Sequence, residues 1–168
     1  LDPRYPVPQH ICEITNSLID NNVLQFDKSA NDDMTLTYHD SCNVARASNM
    51  GGIMGGQFTI PRKIIKTVVN NYYDMDDETI KEKTYCCGGG GGLLTDDLME
   101  LRVKGALPRM EALKHLIEEK GVTHMAAICA ICKSQFSKVF QYYDLELDQI
   151  VSLHQLVSNA IIMNKKEV

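Results

Sequence analysis

The sequence has no uninterrupted apolar run close to the roughly 20 residues that a membrane-spanning helix needs. Residues 1–4 provide neither a charged start nor a following apolar stretch, so we expect no signal peptide. Acidic residues outnumber basic ones, 22 to 17. The formal net charge is −5, so we expect no binding to nucleic acid or anionic membrane through bulk charge. There is no initiator methionine, which predicts a fragment, the C-terminal part of a longer protein.

The 168 residues suffice for one domain with a core of its own. Apolar residues make up 44% of the chain and charged residues 23%, which is typical of a soluble globular protein. Three prolines lie within residues 1–9, which we expect to be an extended lead-in. Residues 10–168 are then predicted to form a single cysteine-rich domain.

Helical and strand-like apolar patterns alternate along this domain. Short runs of strand-forming residues predict strands at 35–38, 83–85, 122–128 and 150–153. Helices are predicted at 10–21, from Pro61 onwards, at 95–121, after Cys132 to about 142, and at 155–163. The helix at 95–121 is expected to break or kink at Gly105 and Pro108. A loop is predicted at 51–56. This alternation indicates an α/β fold with a mainly parallel sheet flanked by helices.

Five of the six cysteines follow predicted strands. Cys42 comes after the first, Cys86 and Cys87 after the second, and Cys129 and Cys132 after the third. Ligands of open α/β sheets bind beyond the carboxyl ends of the strands, so we expect these five thiols to meet at one edge of the sheet. The sixth cysteine, Cys12, lies on the apolar side of a predicted helix, where a buried small residue is the simpler interpretation.

Five convergent thiols are compatible with several kinds of site. Structural zinc takes four ligands in a tetrahedron, which leaves one thiol to spare. A disulfide between the adjacent Cys86 and Cys87 is geometrically unfavourable, whereas neighbouring irons of a cluster could each take one of these thiolates. Cys129 and Cys132 on their own would match a thioredoxin-like pair at a helix start. In a reducing cytoplasm, clustered thiols are more often metal ligands or redox groups than disulfides.

Five consecutive glycines, residues 88–92, follow the adjacent cysteines. They do not form a P-loop, because Gly-Lys-Ser/Thr is missing and the next helix opens with two aspartates that would repel phosphate. Since glycine has no Cβ, the backbone of Gly88, Gly89 and Gly90 could wrap an inorganic cluster and direct N–H groups at its sulfurs. A sharp turn is the alternative role of this run.

A few polar residues near the cysteines are further candidates. His39, just before Cys42, is a candidate hydrogen-bond donor to the site or a proton source. Four arginines are candidates for contacts around the site, but structural pairing with acids is the simpler expectation for each: Arg46, Arg62, Arg102 and Arg109.

The cysteine pattern resembles the cysteine-rich CCG domain of heterodisulfide reductases. That family has Cys…Cys-Cys-Gly…Cys-x-x-Cys, which is matched here by Cys42, Cys86-Cys87-Gly88, and Cys129 with Cys132. The segments 38–46, 61–62 and 86–92 also fit, and the resemblance covers roughly residues 10–163. Within the family, segments 92–97 and 129–136 resemble the K subunit of the dissimilatory sulfite-reduction (Dsr) membrane complex.

This resemblance implies an oxidoreductase subunit with a noncubane 4Fe-4S cluster bound by all five cysteines. The cluster would cleave a disulfide or trisulfide reductively, one electron at a time. A small sulfur-carrier protein would be the partner, and a membrane cytochrome subunit would supply the electrons. The chain itself would be cytoplasmic and would associate with the membrane only through partner subunits.

The sequence departs from the full family pattern in two ways. It lacks the Cys-x-x-Cys-x-x-Cys-x-x-x-Cys run of a ferredoxin-type domain, and it has one five-cysteine set where many relatives have two. The chain is therefore expected to bind a cluster without turning over alone. A cluster lost in air would leave free thiols, non-native disulfides or adventitious zinc in apo or oxidised preparations. Two alternative functions stay open, an electron-transfer-only iron–sulfur domain and a structural zinc-binding module.

Overall fold

A three-stranded parallel sheet forms the centre of the computed structural model, which describes residues 2, 4–5, 8–146 and 149–163. Its strands stand in the order β1 (Leu36–His39), β2 (His124–Ala127) and β3 (Ile150–Ser152). His39 lies opposite Ala127, which in turn lies opposite Ser152. The predicted α/β class with a parallel sheet is confirmed. Part of the predicted lead-in, residues 1, 3, 6 and 7, lies outside the described residues.

The helices of the described chain cover both faces of this sheet. In chain order they are α1 (Ile11–Asp20), α2 (Cys42–Ala47), α3 (Gly56–Val68), α4 (Met99–Lys120), α5 (Ala130–Val139) and α6 (Leu153–Ala160). Side chains alternate along a strand, so Leu36 and Tyr38 join the core formed with α1, α3 and α6. Met125 joins a second core, formed with α4 and α5. None of the described helices combines the length and apolar character that crossing a bilayer requires.

Two helices differ from their predictions in ways that the packing explains. Pro61 lies inside α3, which already begins at Gly56, because Phe58 and Ile60 are buried and extend its apolar face towards the N-terminus. Helix α4 runs without a break through Gly105 and Pro108. The buried Ala106 and Met110 lie on either side of Pro108 and attach both halves of α4 to the same core.

The predicted strand at 83–85 is wrong. Lys81–Lys83 form a 3-10 turn, and Thr84 and Tyr85 are irregular. The Thr84 hydroxyl donates to the backbone oxygen of Asp40 at 2.7 Å, and Arg46 Nη2 donates to the backbone oxygen of Thr84 at 2.6 Å. Side-chain hydrogen bonds therefore attach this segment to the end of β1 and to Arg46. The prediction was that strand pairing would hold it.

Candidate metal centre

Two of the three cysteine segments leave the sheet at the same edge. Asp40 and Ser41 separate Cys42 from β1, and Ile128 separates Cys129 from β2. Because β1 and β2 are neighbouring parallel strands, their carboxyl ends lie side by side. Cys42 begins α2, Cys129 is the N-cap residue of α5, and Cys132 lies in the first turn of α5.

The third segment, which carries Cys86 and Cys87, follows no strand, contrary to the prediction. It is brought to the site by Asp40, which is 2% exposed. The Asp40 carboxylate accepts hydrogen bonds from Arg62 Nη1 at 2.8 Å and Nη2 at 2.7 Å, and from the Lys81 backbone N–H at 2.9 Å. Together with the Thr84 bond to the Asp40 backbone, these contacts fix residues 81–84 beside β1.

The thiols of three predicted ligands lie close enough to influence one another, with Cys87 near both Cys86 and Cys132. The nearby Cys132 thiol, reinforced by burial, raises the pKa of Cys87 to about 12. The nearby Cys87 thiol and burial raise the pKa of Cys86 well above its usual range. Cys86 and Cys87 are therefore neutral in the metal-free chain, and a metal that binds there must displace their protons.

The described residues contain no ready group of ligands for a single metal ion. In the described ranges, no three His, Cys, Asp or Glu side chains are arranged to hold one. The second core contains Cys87 and Cys132, and Cys129 packs against it. All six cysteines, including Cys42, have free thiols.

Backbone N–H groups of the glycine run point at these sulfurs. Gly88 N–H donates to Cys86 Sγ at 3.3 Å. The backbone N–H groups of Gly90 and Gly89 act to lower the pKa of Cys86 and of Cys87, respectively. A Cβ on Gly88 would lie 2.5 Å from the backbone oxygen of Arg102. Gly88 thus lets the loop approach α4 closely, and the loop surrounds the thiols with hydrogen-bond donors. The cofactor-binding role of these glycines stays a prediction.

The arginines around the site have different partners. Arg62 pairs with Asp40 and Asp74, as expected. Arg102 donates to Gln135 Oε1 at 2.8 Å and to two backbone oxygens that follow the glycine run, and its nearest acid, Asp96, is 3.8 Å away. Within the described ranges, Arg46 and Arg109 form no ion pair and donate to neutral groups. The expected pairing with acids therefore holds fully for Arg62 alone.

His39 lies on the second-core face of β1 and is fully buried. Neither ring nitrogen has a hydrogen-bond partner among the described residues, and the ring packs edge-on against Phe136 at 4.9 Å between centroids. Burial, with a smaller effect from Arg109, lowers the pKa of His39 well below its usual range. His39 is therefore neutral at neutral pH. Its predicted role at the site stays a prediction.

The buried His39 should make the metal-free chain sensitive to acid. Because its pKa is lower in the folded state, the unfolded chain binds the extra proton first, and stability falls as pH drops below the ordinary histidine pKa of about 6.5. Between pH 7 and 5, the wild-type free energy of unfolding should fall by about 2 kcal/mol more than that of His39→Leu. Urea unfolding at both pH values measures this. The exposed His115 is the control: His115→Gln should behave like wild type, and a His39→Leu chain as acid-sensitive as wild type would contradict the assignment.

Cys12 is fully buried in the first core, on the opposite face of the sheet from Met125 and Phe136. Burial raises its pKa to about 12. The interpretation of Cys12 as a buried core residue is confirmed. Sequence reasoning missed the anchoring roles of Asp40 and Thr84 and the hydrogen bond between Arg102 and Gln135. The position of Asp40 directly after a strand was the one available signal.

An open cavity of about 250 Å³ lies beside Cys86. Its walls are mostly apolar and include Leu93, Leu98 and Leu101. Leu93 and Leu101 are more than half exposed, and Cys86 is the exposed member of the three neighbouring thiols. Solvent and small groups can therefore reach the Cys86 sulfur from this side.

Comparison with known proteins places this arrangement in a family. The "Hdr-like menaquinol oxidoreductase iron-sulfur subunit 2" of Archaeoglobus fulgidus is 42% identical over 154 residues, which is 92% of this chain and 26% of that protein. The "Hdr-like menaquinol oxidoreductase iron-sulfur subunit" of Archaeoglobus profundus is 41% identical over the same shares. The chain thus spans about a quarter of the length of these curated relatives.

No solved structure matches the chain. The family model described as "CCG: Cysteine-rich domain" matches residues 36–137. That range includes β1, β2 and the segments that carry Cys42, Cys86, Cys87, Cys129 and Cys132. The chain therefore belongs to the family of CCG cysteine-rich domains.

Proposed function

We propose that this chain is the cluster-binding domain of a heterodisulfide-reductase-like iron–sulfur oxidoreductase subunit. The observation that carries the proposal is the proximity of Cys86, Cys87 and Cys132 beside the glycine run, whose Gly88 N–H donates to Cys86 Sγ. Cys42 and Cys129 leave the sheet at the adjoining edge. The names of the relatives, both iron–sulfur subunits, favour the same cofactor.

The donor set fits an iron–sulfur cluster. Its ligands are thiols, which are the usual cluster ligands, and N–H donors aimed at ligand sulfurs are one way in which proteins tune such clusters. We assign all five ligands, Cys42, Cys86, Cys87, Cys129 and Cys132, to one noncubane 4Fe-4S cluster. When bound, this cluster supplies single electrons to a sulfur–sulfur bond.

The chain's own residues would admit the substrate and give solvent protons access to it. The cavity beside Cys86 lets a disulfide or trisulfide reach the thiol edge, and its leucine walls suit the carbon atoms that flank the sulfur–sulfur bond. Cleavage of a disulfide takes two electrons and two protons and yields two thiols. Because His39 is buried and neutral, the protons enter from solvent through the open cavity.

The electrons must come from outside these residues. The relatives' names point to menaquinol as the source in their complexes, and we propose a membrane quinol-oxidising or cytochrome subunit and a ferredoxin-type domain as the electron path. We further propose a small sulfur-carrier protein as substrate, as in the K subunit of the Dsr complex. The chain would then lie in the cytoplasm and reach the membrane through its partners.

Iron and acid-labile sulfide analysis of anaerobically reconstituted protein tests the proposal, together with EPR spectra after oxidation with and without a thiol. We expect about four irons and four sulfides per chain and a paramagnetic signal that changes with the thiol. A cluster whose EPR signal does not change when a thiol is added would indicate an electron-transfer-only domain. About one zinc per chain and no iron after reconstitution would indicate the structural zinc module and contradict the proposal.

A further inference from the structure

Arg109 is a fully buried cation on α4. Within the described ranges it has no carboxylate partner. Its side chain donates to Met75 Sδ at 2.7 Å, to the Thr79 backbone oxygen and to Thr84 Oγ1 at 3.1 Å, and its Nε has no partner at all. An unpaired buried charge is costly for a folded protein, so this arginine requires an explanation.

The acid with the largest electrostatic effect on Arg109 does not neutralise it. Asp40 contributes to the electrostatic environment of Arg109, but its two carboxylate oxygens are already bonded to Arg62 in a bidentate pair. Arg62 also pairs with Asp74. Two acids therefore surround Arg62, whereas the direct contacts of Arg109 are all neutral.

Arg109 lies beside the cysteine segments. Its guanidinium carbon is 5.6 Å from the centre of the Tyr85 ring, and Tyr85 directly precedes Cys86. Thr84, which it contacts, belongs to the same segment. Arg109 and Cys132 are also close enough to interact electrostatically, and the helices that carry them, α4 and α5, pack against each other. The charge thus lies beside the segment that leads to Cys86 and near Cys132.

We propose that Arg109 is the countercharge of the cysteine-bound cluster, a positioning residue that stabilises the cluster and raises its reduction potential. This inference rests on the proposed function, because thiolates are needed to supply the negative charge. Metal binding removes protons from the thiols, and the resulting anionic group then compensates the buried cation. Reduction adds one more negative charge, which the cation also favours.

The test compares Arg109→Gln, which keeps a donor for Thr79 and Thr84 but loses the charge, with Arg109→Lys, which keeps the charge. Arg62→Gln is the matched control, a buried arginine whose charge is already neutralised. The readouts are urea unfolding of metal-free protein, iron retention against a chelator, and redox titration of the reconstituted cluster.

Metal-free Arg109→Gln should be at least as stable as wild type, because it no longer buries an unpaired charge. Cluster-loaded Arg109→Gln should retain iron about tenfold less well than wild type. Its reduction potential should be about 60 mV lower, the one-electron equivalent of a tenfold change. Arg109→Lys should restore most of the iron retention and most of the reduction potential. Arg62→Gln should be less stable than wild type, with and without metal. Its reduction potential should differ less from wild type than that of Arg109→Gln.

Loss of stability in metal-free Arg109→Gln, including failure to fold, would make Arg109 a structural residue and overturn the proposal. An unchanged potential in folded, loaded Arg109→Gln would overturn it as well while leaving the cluster assignment intact. If wild-type protein takes up no iron, the proposed function fails and the countercharge role fails with it.

Discussion

Reconstituted Cys87→Ser is expected to lose the intact cluster, with iron and sulfide contents well below those of wild type. Cys87 is 3% exposed and is the central member of the three neighbouring thiols, near both Cys86 and Cys132. A serine hydroxyl at neutral pH does not provide the thiolate that iron–sulfur clusters require. Iron and sulfide analysis after anaerobic reconstitution, with the visible absorption spectrum, measures the loss.

Cys12→Ala is the matched control for this experiment. Cys12 is also fully buried and free, but it belongs to the core on the opposite face of the sheet. Its replacement should cost about 1 kcal/mol of stability through the small cavity it leaves, with iron content and spectrum unchanged. A Cys12→Ala chain without its cluster, or a Cys87→Ser chain with a normal one, would show that the assigned ligands are wrong.

Asp40→Asn should be the most destabilising single substitution of the site, at about 3–5 kcal/mol. The change keeps the shape of the side chain but removes its charge, which leaves the buried Arg62 without its bidentate partner. It also weakens the acceptor for the Lys81 N–H, so residues 81–84 lose part of their attachment to β1. Urea unfolding of the metal-free chain at pH 7 measures the difference.

The exposed ion pair between Lys63 and Asp20 provides the comparison. Both side chains are about half exposed, and exposed pairs contribute at most about 1 kcal/mol. Asp20→Asn should therefore change the free energy of unfolding by less than this amount. If the two aspartate substitutions have similar small effects, the buried pair is not what holds the cysteine segment in place.

The sheet was largely predictable from sequence, because local pattern and tertiary environment agree there. The runs at 35–38, 122–128 and 150–153 are rich in strand formers or apolar residues and match β1, β2 and β3 to within a few residues. The burial of Cys12 followed from helical spacing in the same way. Where a residue's role depends on its immediate neighbours in the chain, the sequence was sufficient.

The attachment of Cys86 and Cys87 was not predictable in this way. Their position depends on Asp40 and Thr84, which are 44 positions apart, and no local pattern reports such a pairing. The predicted start of α3 at Pro61 was wrong for a related reason, because the buried Phe58 and Ile60 decide where this helix begins. The neutral partners of Arg109 depend likewise on distant segments, so composition alone suggested ordinary ion pairs.

The parallel pairing of β1 with β2 also governs the order of events in folding. Thr35 and Thr123, which are hydrogen-bonded at the start of this pairing, are 88 positions apart. Contacts between such distant segments form late, because a long loop must close before they contribute any stabilisation. The segments of Cys42 and Cys129 thus become neighbours only after most of the chain has been synthesised and has collapsed. Iron delivered earlier would meet scattered thiols, so cluster insertion should follow folding of this domain and not guide it.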